Sequence, residues 1–139
     1  MLGTPEQDAF ITAMKWGTAT TLRKDGSPTN SVVFYYREGD TLAFSTTADR
    51  LKAKTLRNDN RIAFTVLDEG APYRFVSLEG TATIEDGDGI GPAHVTLNRV
   101  MRGDPNWQPP ENFVAGLKAA GRVINRVHAE RVSGVVNRG

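Results

Sequence analysis

Between Thr18 and Thr46 the chain alternates runs of β-branched and aromatic residues with short polar turns, and no helical period interrupts them. Thr18 to Arg23 is threonine-rich and suits a strand. Lys24-Asp25-Gly26-Ser27-Pro28 is a turn, and Thr29 to Arg37 reads as a second strand. Glu38-Gly39-Asp40 turns the chain into a third, Thr41 to Thr46. Turns this short allow only antiparallel pairing, because parallel strands need a long crossover. The stretch predicts an antiparallel meander. Its second strand is apolar on both faces, Val32, Phe34 and Tyr36 against Val33 and Tyr35. One face would meet a barrel interior, and the other calls for a ligand, a helix or another subunit.

The flanking segments fit around that meander. Thr4-Pro5-Glu6-Gln7 forms a capping box, with Pro at the first helical position, so a helix is expected to about Met14. It should turn Phe10, Ala13 and Met14 inward and stop at Gly17. A helix is expected over Asp49 to Asn58, a strand over Arg61 to Leu67, and a long strand over Tyr73 to Glu85. Gly80 inside the long strand marks a bulge or a sharp bend. Helices over Pro92 to Arg102 and Glu111 to Ala120 follow, and Arg122 to Val136 closes as a strand pair or one bent strand. Strands and helices do not alternate, which disfavours a doubly wound sheet. The fold expected is β-rich (α+β): an antiparallel split β-barrel with peripheral helices, one domain over residues 1–139.

Composition removes several classes of function. With 17 basic and 16 acidic residues the net charge is +1, which gives no electrostatic case for a nucleic-acid binder. The chain has no cysteine, so disulfides, thiolate metal sites and cysteine nucleophiles are excluded. That fits a reducing cytoplasm. No signal peptide is visible at Met1 to Glu6, and no apolar run approaches the ~20 residues of a membrane span. The expected location is cytoplasmic.

Chemistry converges on one turn. In Phe44-Ser45-Thr46-Thr47-Ala48-Asp49-Arg50-Leu51-Lys52 an apolar strand runs into three hydroxyls, then a helix starts with two cations. A helix N-terminus already carries unpaired N–H groups and partial positive charge, so cations there suit an anion in front of them. The arrangement describes a phosphate pocket beside an apolar strand, suited to a flat ring with a phosphate tail. The ring would lie along Ser31, Val32 and Val33, and Tyr73 or Trp107 could close the pocket. Elsewhere the sequence offers little. His94 and His128 lack partners at metal-ligand spacing and read as packed or surface residues, and Asp86-Gly87-Asp88-Gly89 lacks the acidic twelfth position of a calcium loop. No metal site and no catalytic side chain is assigned, so a cofactor would have to carry any reactivity.

At these residues the chain resembles the split β-barrel flavin and deazaflavin oxidoreductases, the pyridoxamine-phosphate-oxidase-like superfamily. The resemblance is carried by Asp25-Gly26-Ser27-Pro28, Asn30-Ser31-Val32-Val33-Phe34, Leu42-Ala43-Phe44-Ser45-Thr46-Thr47 and Arg50-Leu51-Lys52. It continues through Thr55 to Arg61, Ser77-Leu78-Glu79-Gly80-Thr81-Ala82 and Glu130-Arg131-Val132-Ser133-Gly134. It implies a homodimer with cofactor sites at the subunit interface. The sequence is most similar to the group that binds coenzyme F420, in which Arg50 and Lys52 would take the phosphate. The resemblance thus implies hydride transfer from reduced deazaflavin to a conjugated acceptor of enone, quinone or tetrapyrrole type. FMN is the alternative cofactor, and a non-catalytic F420 carrier the alternative role. The cation pair that helps hold FMN in the oxidases proper is absent from Ser31-Val32-Val33-Phe34-Tyr35, and their substrate-binding tail is absent from Val136-Asn137-Arg138-Gly139. Both departures argue against vitamin B6 oxidation. Haem handling would need His94 or His128 as the axial ligand.

Overall fold

The computed structural model describes residues 1–70 and 73–137, with Leu51 and Lys52 described in backbone only. In chain order the elements are α1 (Pro5–Ala13), β1 (Trp16–Leu22), β2 (Pro28–Phe34), β3 (Tyr36–Glu38) and β4 (Thr41–Thr47). Then come α2 (Leu51–Asn58), β5 (Arg61–Leu67), β6 (Phe75–Glu85), α3 (Ile90–Arg102), α4 (Phe113–Ala119) and β7 (Arg122–Val135).

All seven strands form one antiparallel sheet in the order β2-β1-β5-β6-β7-β4-β3. The two edges of that sheet, β2 and β3, are separated in sequence by Tyr35 alone. The sheet therefore curls until one residue of chain, rather than a hydrogen-bonded ladder, joins its edges. This is a split β-barrel. It also corrects the expected meander: the second strand is two strands, and β2 pairs with β1 but not with β4. Tyr35 supplies the reason. Its N–H donates to Lys15 O at 3.0 Å and its hydroxyl to Ile11 O at 2.6 Å, so it leaves the ladder to anchor on α1 and the segment after it.

Helix α1 begins as its sequence dictates. Thr4 caps it, Gln7 returns the bond, and Pro5 stands at the start. Phe10 and Ile11 are buried, whereas Ala13 is exposed and Met14 only half-buried, so the inward face is one residue round from the expected one. The helix ends at Ala13. Gly17 does not stop it but lies in β1, where the Phe64 ring takes the space a side chain would need (a Cβ would stand 2.7 Å from Cζ). Several other starts differ by two residues from expectation: β1 begins at Trp16, β6 at Phe75, α2 at Leu51, α3 at Ile90 and α4 at Phe113. The strand after Gly121 is one continuous element.

The bulge expected at Gly80 is present. Glu79 pairs with Arg131 and Gly80 with Ala129, leaving Glu130 unmatched. Inside the curl, Phe44, Phe64, Leu42, Leu78 and Val127 are fully buried together with Ile11 of α1. A smaller apolar cluster lies on the other face of β3, β4 and β7, where Tyr36, Ala43 and Ile124 meet Ala93 and Leu97 of α3. That second cluster fixes α3 beside the seam between β2 and β4. Among the described residues no helix is long and apolar enough to cross a membrane, and no cluster of His, Asp and Glu could hold a metal ion.

Candidate functional site

A cleft of about 690 Å³ occupies the seam where the barrel fails to close. Ser31, Val32, Val33 and Phe34 line it from β2, Ser45 and Thr46 from β4, and His94, Leu97, Asn98 and Met101 from α3. Thr29 of β2, Leu117 of α4, Arg50 and Arg122 complete the wall. The volume lies within the range of small-molecule and cofactor sites. β2 is an edge strand, and among the described residues no strand pairs with its other side. Such an edge presents backbone donors and acceptors to whatever lies beside it.

The strand-to-helix turn contributes unevenly. Successive strand residues alternate faces, so Ser45 and Thr46 cannot point the same way. Ser45 lies opposite Ile124 and faces α3. Thr46 lies opposite Val123, and its oxygen accepts from Asn125 Nδ2 at 2.9 Å. Thr47 hydrogen-bonds Asp49, and that bond, the largest influence on it, holds the Asp49 carboxyl below the usual range. Three hydroxyls that looked convergent in the sequence thus have three different partners. Arg50 is the cap residue of α2 and is exposed, with no side-chain bond closing that end of the helix. The side chains of Leu51 and Lys52 lie outside the described residues. Tyr73, in the β5–β6 connection, is 72% exposed with φ 60° and does not line the cleft. Trp107 packs edge-on against Phe113, ring centres 5.6 Å apart, and beneath Arg102 at 4.8 Å.

Two residues unassigned from the sequence stand in the wall. Arg122 starts β7 directly opposite Thr47, and Ala48 N–H donates to Gly121 O at 2.8 Å. Arg50 and Arg122 therefore sit at the same end of the β4–β7 pair. Among the described residues neither makes a salt bridge. His94 is 4% exposed, with Nε2 at 2.6 Å from Ser45 Oγ and Nδ1 at 2.7 Å from Ile90 O. Burial lowers its pKa, the Ile90 carbonyl opposes that, and Arg122 adds to the lowering. With both ring nitrogens engaged, His94 could ligate a haem iron only by giving up Ser45. The signal in the sequence was the spacing of His94, Leu97, Asn98 and Met101, which shares one helix face.

A curled antiparallel sheet whose two edges are joined by one residue, with a cleft at the seam, defines a split-barrel protein. The chain belongs to the pyridoxamine 5'-phosphate oxidase family, which matches residues 4–115 and includes oxidoreductases. Among solved structures it is similar to a conserved hypothetical protein, Rv2991, from Mycobacterium tuberculosis. The two are 25% identical with a TM-score of 0.79, over 96% of this chain and 84% of that one. It is similar in fold to an F420 reductase, at 24% identity and TM-score 0.74, over 94% of this chain and 98% of the other. An FAD-binding protein from Mesorhizobium loti gives 22% identity and TM-score 0.70, over 96% and 94% of the two chains. No curated protein matches this chain in sequence.

Proposed function

We propose that this chain is an oxidoreductase that binds coenzyme F420, with FMN as the alternative, and reduces a conjugated small-molecule acceptor of enone, quinone or tetrapyrrole type. The observation that carries the reading is the cleft itself. An apolar edge strand forms one wall, and Arg50 and Arg122 share one end. A flat heterocycle has an apolar surface and edge N–H and C=O groups to satisfy, and β2 offers both. A phosphate needs cations, and Arg50, Arg122 and the α2 N-terminus are the groups suited to it, with Lys52 two residues after Arg50 in sequence. The bound cofactor would supply the hydride. The protein's own residues hold the ring against Val32 and Val33, anchor the tail, and exclude water with Leu97, Met101 and Leu117.

A homodimer belongs to the same reading. Val32, at the cleft's open rim, is 62% exposed and Tyr73, away from it, 72%, which suits surfaces covered by a second copy. Thermal unfolding titrated with F420 and FMN side by side tests the cofactor. A ligand at a hundredfold excess over its Kd stabilises by about 2.7 kcal/mol. A shift with F420 above that with FMN is expected, and no shift with either refutes the proposal.

A further inference from the structure

The Ser45–His94 contact carries information about the ligand that the cleft's shape alone does not. Ile90 O can only accept, so Nδ1 of His94, 2.7 Å away, must hold a proton. In a neutral imidazole the other nitrogen, Nε2, then has only a lone pair. Ser45 Oγ lies 2.6 Å from that lone pair, so the hydroxyl proton is committed to His94. What remains of the hydroxyl is an oxygen with two lone pairs at the wall of the cleft. Burial keeps the ring neutral, consistent with the lowered pKa.

We propose that His94 sets the polarity of Ser45, making it a hydrogen-bond acceptor in the cleft that selects an N–H or O–H group of the ligand and turns away a phosphate oxygen. On the cofactor reading above, on which this rests, the donor is a sugar-alcohol hydroxyl or a ring N–H. The phosphate then belongs to the cations at the other residues, Arg50 and Arg122, and not to the hydroxyl first in line with them. An ionised phosphate oxygen set against Ser45 would face lone pairs with lone pairs. It could be accommodated only if His94 took up a second proton, which would let Nε2 donate to Ser45 and free the hydroxyl to donate outward. His94 is thus a positioning residue.

The test joins a spectroscopic measurement to a binding comparison. ¹⁵N NMR of the histidines, with His128→Gln to separate the two signals, should show His94 at neutral pH as the neutral form protonated on Nδ1. It should remain so when FMN is added. Ser45→Ala should weaken riboflavin and FMN by the same factor, about tenfold for one hydrogen bond in a buried setting. Ser45→Thr, which keeps the hydroxyl, should restore both. A proton on Nε2 in the free protein overturns the proposal. So does protonation of His94 on adding FMN, or a Ser45→Ala loss confined to FMN. If neither F420 nor the flavins bind the unaltered protein, the cofactor reading fails, and the imidazole spectrum of the free protein still decides which way the Ser45 proton points.

Discussion

Gly80 lies so close to the carbonyl oxygen of His128 that no side chain fits between β6 and β7 at the bulge. The obstructing atom is backbone and cannot swing aside. Gly80→Ala should therefore destabilise by about 1–3 kcal/mol, the range for overpacking a close-packed site. Gly87→Ala, with open space around its position, should stay within about 0.5 kcal/mol of the parent. Urea midpoints of the two variants check this, and equal midpoints would contradict the close approach.

Tyr35 is the one residue between the two sheet edges, and its hydroxyl donates to Ile11 O at 2.6 Å in a buried setting. Tyr35→Phe removes the donor and leaves the carbonyl oxygen without it. A loss of about 1–3 kcal/mol is expected, measured by denaturant unfolding with an unchanged m-value. Burial also raises the phenol's pKa, so Tyr35 should not ionise in an alkaline titration under conditions that convert free tyrosine.

Burial holds the pKa of His94 below its ordinary 6.5, with Arg122 adding to the effect against the Ile90 carbonyl. Among the described residues, Arg122, reaching from β7, is the charged group acting on it, and β4 presents the Ser45 hydroxyl. Below pH 6.5 the unfolded chain binds a proton here that the folded chain refuses. The stability His94 contributes is thus whole above pH 6.5 and is lost as pH falls. His94→Gln should flatten the decline in melting temperature between about pH 6.5 and 5. An unchanged slope would show that the ring is free to protonate in place.

At lower pH the carboxylates take over. Arg37 donates to Asp8 Oδ1 at 2.6 Å and to Asp40 Oδ1 at 3.1 Å, tying α1 to the β3–β4 hairpin. The bond from Arg37 is the main cause holding Asp8 below 3.8, and Arg61 likewise brings Asp59 down to about 2. Both contributions are full above pH 3.8 and are lost as pH falls below it, that of Asp59 as pH falls through about 2. Asp8→Asn should lower the melting temperature at pH 7 and narrow its difference from the parent near pH 2, read from melting curves at both.

Arg122 is expected to meet the ligand's charged tail. Arg122→Ala should weaken FMN and F420 by roughly ten- to hundredfold, the range for a charge-assisted hydrogen bond, and leave riboflavin unchanged. Added salt should weaken FMN binding to the parent more than to the variant. A parallel loss for riboflavin would move Arg122 from the phosphate to the ring.

The features legible in the sequence were those whose cause is local. Thr4, Pro5 and Gln7 announce a helix start within four residues, and Gly80 amid β-branched neighbours announces the bulge. Thr29 to Arg37 read as one strand because nothing near Tyr35 signals a break; its cause is Ile11 and Lys15, earlier in the chain and across the core. Ser45 and Thr46 were both legible as hydroxyls beside a helix start. Their division between His94 and Asn125 depends on elements some fifty and eighty residues later, and propensity carries no trace of such pairings.

Strand β7 joins the β3–β4 hairpin to the rest of the sheet, since β4 pairs on one side with β3 and on the other with β7. During synthesis on the ribosome, β2 and β4 are made early, but they can take up their places across the seam only after residues 122–135 have emerged and docked against β6. The nascent chain therefore carries both walls of the cleft long before it has the cleft. Any ligand that needs both walls must therefore enter after β7 has docked.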